Sequence, residues 1–170
     1  MSNEAHDTTR ERILQAACEV FAENGFSQAT IRQIVERAGA NIAAVNYHFG
    51  GKAELYSAVF DNVTAAGFER YPVTMDLPPN PTPRDKLFSF VRSFFYRAFA
   101  SQGAGSYIGR MLLREMIEPT PELSRRVQLT VRPMAAYLTE IVTEIVGRPL
   151  TECERFMAIT SVIAQILHHK

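Results

Sequence analysis

Five of the nine prolines, Pro72, Pro78, Pro79, Pro81 and Pro83, fall within twelve residues of a 170-residue chain. Neither a helix nor a central strand persists through such a run, because each proline fixes φ and removes a backbone donor. The cluster therefore divides the chain. Short, closely punctuated helical patterns precede it and longer amphipathic patterns follow. The expected organisation is one domain over residues 1–71, a loop over 72–83 and a second domain over 84–170.

Both sides read as helices. Thr8 stands three residues before Glu11, Thr30 before Gln33 and Thr151 before Glu154, the spacing at which two side chains satisfy orphan N–H groups of a first turn. Thr82-Pro83 and Thr120-Pro121 place an N-cap before a proline at N1. Gly25, Gly39 and Gly147 follow periodic runs, as helix-ending residues of positive φ do. Leu14, Ala17, Cys18 and Phe21 form one stripe, and Leu87, Val91, Phe94/Phe95 and Ala98 another. A third stripe, Val127, Val131, Met134, Leu138, Ile141 and Ile145, is expected to kink or divide near Leu129–Arg132 because of Pro133. The last, Phe156, Ile159, Ile163, Ile166 and Leu167, runs to the end uncapped, so a further C-terminal piece is expected. No strand-type alternation competes with these patterns.

Composition excludes several classes. The longest stretches without charge, Ala38–Gly51 and Phe156–His169, have 14 residues each, short of the roughly 18 that a membrane span needs. The N-terminus is polar and charged, with no apolar leader, so cytoplasmic residence is expected. Cys18 and Cys153 lie far apart within apolar patterns, which predicts core residues rather than a disulfide or a zinc site. There is no phosphate loop, nucleophile elbow or paired-His metal motif, so neither an enzyme nor a cofactor is expected.

The stretch Thr30–Leu55, TIRQIVERAGANIAAVNYHFGGKAEL, carries the functional signal. Two short helical runs, Ile31–Ala38 and Ile42–His48, flank Gly39-Ala40-Asn41, the spacing of a helix-turn-helix whose second helix enters a major groove. The fold class follows: all-α, an N-terminal three-helix helix-turn-helix domain plus a C-terminal helical bundle. With Ile42 and Val45 turned inward, Ala43, Ala44, Asn46, Tyr47 and His48 are left for solvent. The alanines admit the backbone to base edges, and Asn46 can read adenine or bond a phosphate. Tyr47 and His48 suit phosphate oxygens. Gly50-Gly51-Lys52 opens a fourth helix as an anion site, and Thr30 heads another helix N-terminus. Arg32 and Arg37 add charge if they share that side. The plainer reading makes Asn41 a cap and Tyr47 a packing residue.

The run Arg12–Val59 resembles the DNA-binding domain of the TetR/AcrR family of transcriptional regulators, through Gly25-Phe26, Thr30, Ala38-Gly39, Tyr47-His48-Phe49, Lys52 and Leu55. The resemblance implies that Thr30, Tyr47, His48 and Lys52 contact phosphates and that Asn41 to Asn46 face bases. Asn46 stands where an aromatic is frequent, and Gly51 replaces a common Ser. The wording Asn41–Lys52 and Met111–Pro121 is similar to a CerR-type subgroup.

The resemblance further implies a homodimer on a double-stranded DNA operator, most simply a repressor, with dimerisation and a small-molecule effector pocket in residues 84–170. Candidate effector residues are Phe94, Tyr107, Met111, Arg114, Met134 and Tyr137, with Met116 adding adaptable apolar surface. From another class, the alternative is a helical protein-interaction module whose helix-turn-helix only packs. The balance of 18 basic and 18 acidic residues leans toward that alternative, and residues 1–60 are net acidic, with five basic side chains and seven acidic. Thr30–Lys52 holds three basic residues and only Glu36 in opposition, so attraction for DNA is expected to be local, with weak non-specific binding.

Overall fold

The computed structural model describes residues 2–99, 107, 109–111, 114, 115 and 118–168, and no strand occurs among them. The helices with defined bounds are α1 (Ser2–Gln28), α2 (Ile31–Ala38), α3 (Ile42–Phe49), α4 (Lys52–Arg70), α5 (Pro83–Phe99), α6 (Pro121–Val146) and α7 (Glu152–His168). Residues 107, 109–111, 114 and 115 are helical too. Met116 lies outside the described residues, and among the described residues no helix is long and apolar enough to cross a membrane.

Most punctuation acts as the sequence requires. Gly39 and Gly147 end α2 and α6 at φ 59° and 75°, and Gly25, at φ 71° and ψ 177°, breaks the helical path within α1 as a kink. At Thr30 the full capping box forms: the Gln33 N–H donates to Thr30 Oγ1 at 3.2 Å, and the Thr30 N–H donates to Gln33 Oε1 at 2.9 Å. Thr151 and Glu154 repeat it at 3.3 and 2.9 Å, and Thr82 finds an equivalent partner in Asp85.

Three expectations change. Helix α1 starts at Ser2, so Thr8 lies inside it rather than capping it. The Thr120 hydroxyl makes no cap but donates to Glu115 Oε1 at 2.9 Å. Helix α6 passes Pro133 undivided. The residue whose carbonyl loses its partner there is Leu129, which is 63% exposed, and on a solvent-facing side water can replace the missing donor.

Two apolar clusters organise the molecule. The larger gathers Ile13, Ala17 and Phe21 of α1, Ile34, Val35 and Ala38 of α2, Val45 of α3, and Leu55, Tyr56, Val59 and Phe60 of α4. Met111 and Leu123 join it from beyond the proline-rich loop. Helices of eight residues are marginal alone, so α2 and α3 depend on this burial, about 1.5–3 kcal/mol for each large side chain. The smaller cluster is Phe90, Leu138 and Ile141, where α5, α6 and α7 meet.

The most buried face of α5 is not the apolar stripe alone. Ser89, Ser93 and Arg97 recur every fourth residue beside Phe90, all buried. Ser89 Oγ donates to the carbonyls of Val73 and Met75 at 2.9 and 2.8 Å. Ser93 Oγ donates to the Tyr71 carbonyl at 2.7 Å, and Arg97 Nη1 reaches the same carbonyl at 2.9 Å. This ladder satisfies backbone acceptors that the prolines leave without helix or sheet partners, and it ties the end of α4 to α5. The cysteines also part company: Cys18 is buried as expected, whereas Cys153, in the first turn of α7, is exposed.

Candidate nucleic-acid interface

Helix α3 is held by three devices. The Asn41 side chain accepts from the Ala44 N–H at 2.8 Å, fixing the start. Val45 is fully buried, fixing the rotation, and Gly50 at φ 88° ends the helix. Ala44 and Phe49 pack partly against the larger core, so Ala44 is less available than Ala43, which is exposed with Asn46.

Ile42 turns outward, contrary to expectation, and is 54% exposed. The reason is its place at the first turn: Val45, with Ala44 and Phe49, already supplies the contact that an eight-residue helix can make. Ile42, Ala43 and Asn46 therefore share the solvent side with Tyr47, which is 76% exposed. An apolar side chain next to Asn46 suits a thymine methyl. The sequence hides this role, because an isoleucine opening a helix reads as an anchor.

Around α3 the charges are mostly spoken for. Arg37 turns to α1, where Nη2 lies 3.1 Å from Glu23 and Nη1 lies 3.5 Å from Glu19, so it does not serve the α3 face. Arg32 pairs with Glu36 at 2.8 Å, but both are well exposed and such a pair exchanges readily for a phosphate. The Lys52 ammonium sits 4.6 Å from the centre of the Phe26 ring, which orients it without neutralising it. Next to it, Gly51 begins α4 with no side-chain cap. The Tyr47 and His48 rings meet edge to face at 5.1 Å. Thr30, Tyr47 and Asn41 are exposed, and His48 and Lys52 half-buried. The face thus offers helix N-termini and hydroxyls more than net positive charge.

The effector candidates do not gather. Phe94 and Met134 line a cavity of about 370 Å³ walled by α4, α5, α6 and α7. Tyr137 packs on the small core beside Phe90, with ring centroids 6.3 Å apart. Tyr107 and Met111 pack on the larger core instead, and the Arg114 side chain lies against Gly25, where any Cβ would collide with it.

A helix-turn-helix presenting an exposed second-helix face, joined to a second helical part, is the architecture of a DNA-binding transcriptional regulator, and the relatives of this chain are such regulators. Residues 13–59 match the profile of the bacterial regulatory proteins of the tetR family. Residues 83–170, just over half of the chain, match that of the C-terminal domain of the HTH-type transcriptional dual regulator CecR. The chain belongs to the TetR family, and the subgroup resembled along Met111–Pro121 carries the name CecR. Its similarity to CecR of Shigella flexneri is 24% identity over 174 residues, covering 95% of this chain and 75% of that protein. To the regulator SrpR of Pseudomonas putida it is 39% over 74 residues, 44% of this chain and 32% of that protein. The chain thus spans about a third of SrpR, and about half of another P. putida relative, TtgW. Among solved structures, the hemolysin II transcriptional regulator HlyIIR has the same fold, with a TM-score of 0.66 at 20% identity over 96% of this chain and 90% of that one.

Proposed function

We propose that the chain acts as a homodimeric repressor, setting two copies of α3 into successive major grooves of a near-palindromic operator, and that a small molecule bound in its C-terminal part releases it. In this reading residues 1–71 bind DNA, 72–83 connect, and 84–170 hold the effector and the partner subunit. The observation that carries the DNA reading is the α3 face: Ile42, Ala43 and Asn46 are exposed on a helix whose opposite side Val45 locks into the core. Ile42, Ala43, Ala44 and Asn46 meet bases, with Asn41 left its amide group for the same purpose. Thr30, Arg32, Tyr47, His48 and Lys52 meet phosphates. Dimerisation is supported by Ile145, Val146, Phe156 and Met157, large apolar residues exposed on α6 and α7. An effector changes operator affinity only by binding two states unequally, and the shared Tyr71 carbonyl gives α5 a direct hold on the end of α4.

The test is a gel-shift titration on the protein's own upstream region at about 50–100 mM salt, where phosphate contacts still count. Sequence-selective retardation, with footprints about one helical turn or a modest multiple apart, is expected. Equal binding to scrambled DNA, or none, would sink the reading in favour of a protein-interaction module.

A further inference from the structure

Arg97 is an unusual residue for the wall of an apolar cavity. It is only 5% exposed, and burial without a compensating anion pushes its guanidinium down to about 10, still charged at neutral pH. Nη1 is fully engaged, donating to the Tyr71 carbonyl at 2.9 Å and to Ser93 Oγ at 2.8 Å. The guanidinium carbon lies 4.2 Å from the centre of the Phe68 ring. Nη2 is buried and has no hydrogen-bond partner among the described residues. The cavity that Arg97 lines has no Asp or Glu among its described walls, which besides Gln128, Thr130 and the exposed Arg132 are mainly Phe, Val, Leu, Ile and Met side chains. A buried charge is ordinarily paired, and the described residues give this one no acidic partner.

We infer that the cavity binds an amphipathic carboxylic acid, its carboxylate on Arg97 Nη2 and its apolar body among Phe90, Phe94, Met134 and Leu138. Three features select that class. Arg97 is the buried guanidinium of the described walls and its one unpaired donor compensates a single negative charge, while Arg132 is exposed and stays with solvent, so a phosphate dianion would leave charge against apolar walls. The walls reward an aliphatic or aryl body. A volume of about 370 Å³ falls at the small end of ligand pockets, roughly 300–1000 Å³, which suits a medium-chain or arylalkyl acid. The inference rests on the proposed effector role and names the chemistry that fills it.

The experiment measures binding of decanoic and 4-phenylbutyric acids to the full chain by calorimetry, each against its primary alcohol. The expected result is a preference for the acid of at least about tenfold, the scale of a charge-assisted hydrogen bond, with Arg97→Gln abolishing that preference while the alcohol's affinity stays. Because Arg97 also holds the Tyr71 carbonyl, Ala135→Phe provides a second variant that fills the cavity and leaves Arg97 in place; it is expected to lose acid binding at unchanged helicity. Equal affinity for acid and alcohol, no binding of either acid, or acid binding that survives Ala135→Phe overturns the inference. Operator retardation measured with the same compounds separates it from the effector reading. Acid binding at Arg97 without loss of operator affinity keeps the site and refutes release, whereas release by the alcohols alone keeps the effector role and refutes the carboxylate site.

Discussion

The two halves of the molecule spend similar apolar resources in opposite ways. Around α1 to α4, sixteen buried residues of the first half, joined by Met111 and Leu123 of the second, form one continuous core among the described residues. Where α5, α6 and α7 meet, the cluster has three buried members among the described residues, Phe90, Leu138 and Ile141, although this half carries six of the eleven phenylalanines. The remainder line a cavity or face solvent, as Phe88, Phe95 and Phe156 do. A reading head must present α3 at one angle, so its side chains are committed to packing. The second part, which in the proposed function accepts a ligand and a second subunit, keeps apolar surface uncommitted and anchors its helices with a serine and arginine ladder instead.

The largest test of that contrast is Phe60→Ala, which empties a fully buried site and is expected to cost about 3–5 kcal/mol in urea unfolding. Phe88→Ala, at a site 66% exposed, is expected to change stability by no more than about 0.5 kcal/mol. Comparable losses would break the comparison. Next comes the seam between the halves. Buried Glu115 accepts from the Tyr56 hydroxyl at 3.0 Å and from the Thr120 N–H at 2.9 Å. Glu115→Ala strands both donors and should cost about 2–4 kcal/mol by the same measurement.

Smaller effects sharpen the reading head itself. Asn46→Ala should relax selection at one base position by about 1–3 kcal/mol in competition binding. Lys52→Ala should weaken all sequences alike and lower the salt slope by about 0.9 per half-site. A changed sequence preference with an unaltered slope would reverse those assignments. The smallest effect belongs to the start of α7. The side-chain bond from Arg148, with the Thr151 N–H and hydroxyl, holds the Glu154 carboxyl down to about 2 from a usual 4.5. A folded value below the unfolded one stabilises at neutral pH, and that contribution fades as pH falls from about 4.5 toward 2. Thermal melts across that window should show Glu154→Gln losing stability less steeply than the parent chain.

Local features were legible. Thr30–Gln33, Asn41 and the glycines Gly25, Gly39 and Gly147, which kink or end their helices, act within four residues of themselves, so spacing alone places them, and with them the helix-turn-helix. Orientation at α3 was legible for Val45 and not for Ile42, because periodicity counts apolar positions without knowing how many neighbours a short helix can reach. Arg37 needed knowledge of α1, Arg114 packs against Gly25, 89 positions earlier, and Tyr107 and Met111 join a core built mainly by α1 to α4. The α5 ladder was hidden for a different reason: serine and arginine read as surface, and only the proline-rich segment's unpaired carbonyls, once brought alongside, turn them into core.

The contrast between the cysteines has a practical consequence. Burial pushes the Cys18 thiol up to about 12, leaving almost no thiolate at neutral pH, while Cys153 stands exposed at the head of α7. A thiol-directed spin label therefore marks one place per chain without any engineering. In a dimer the two labels form a molecular ruler, whose reading with and without operator DNA reports how far the subunits rearrange.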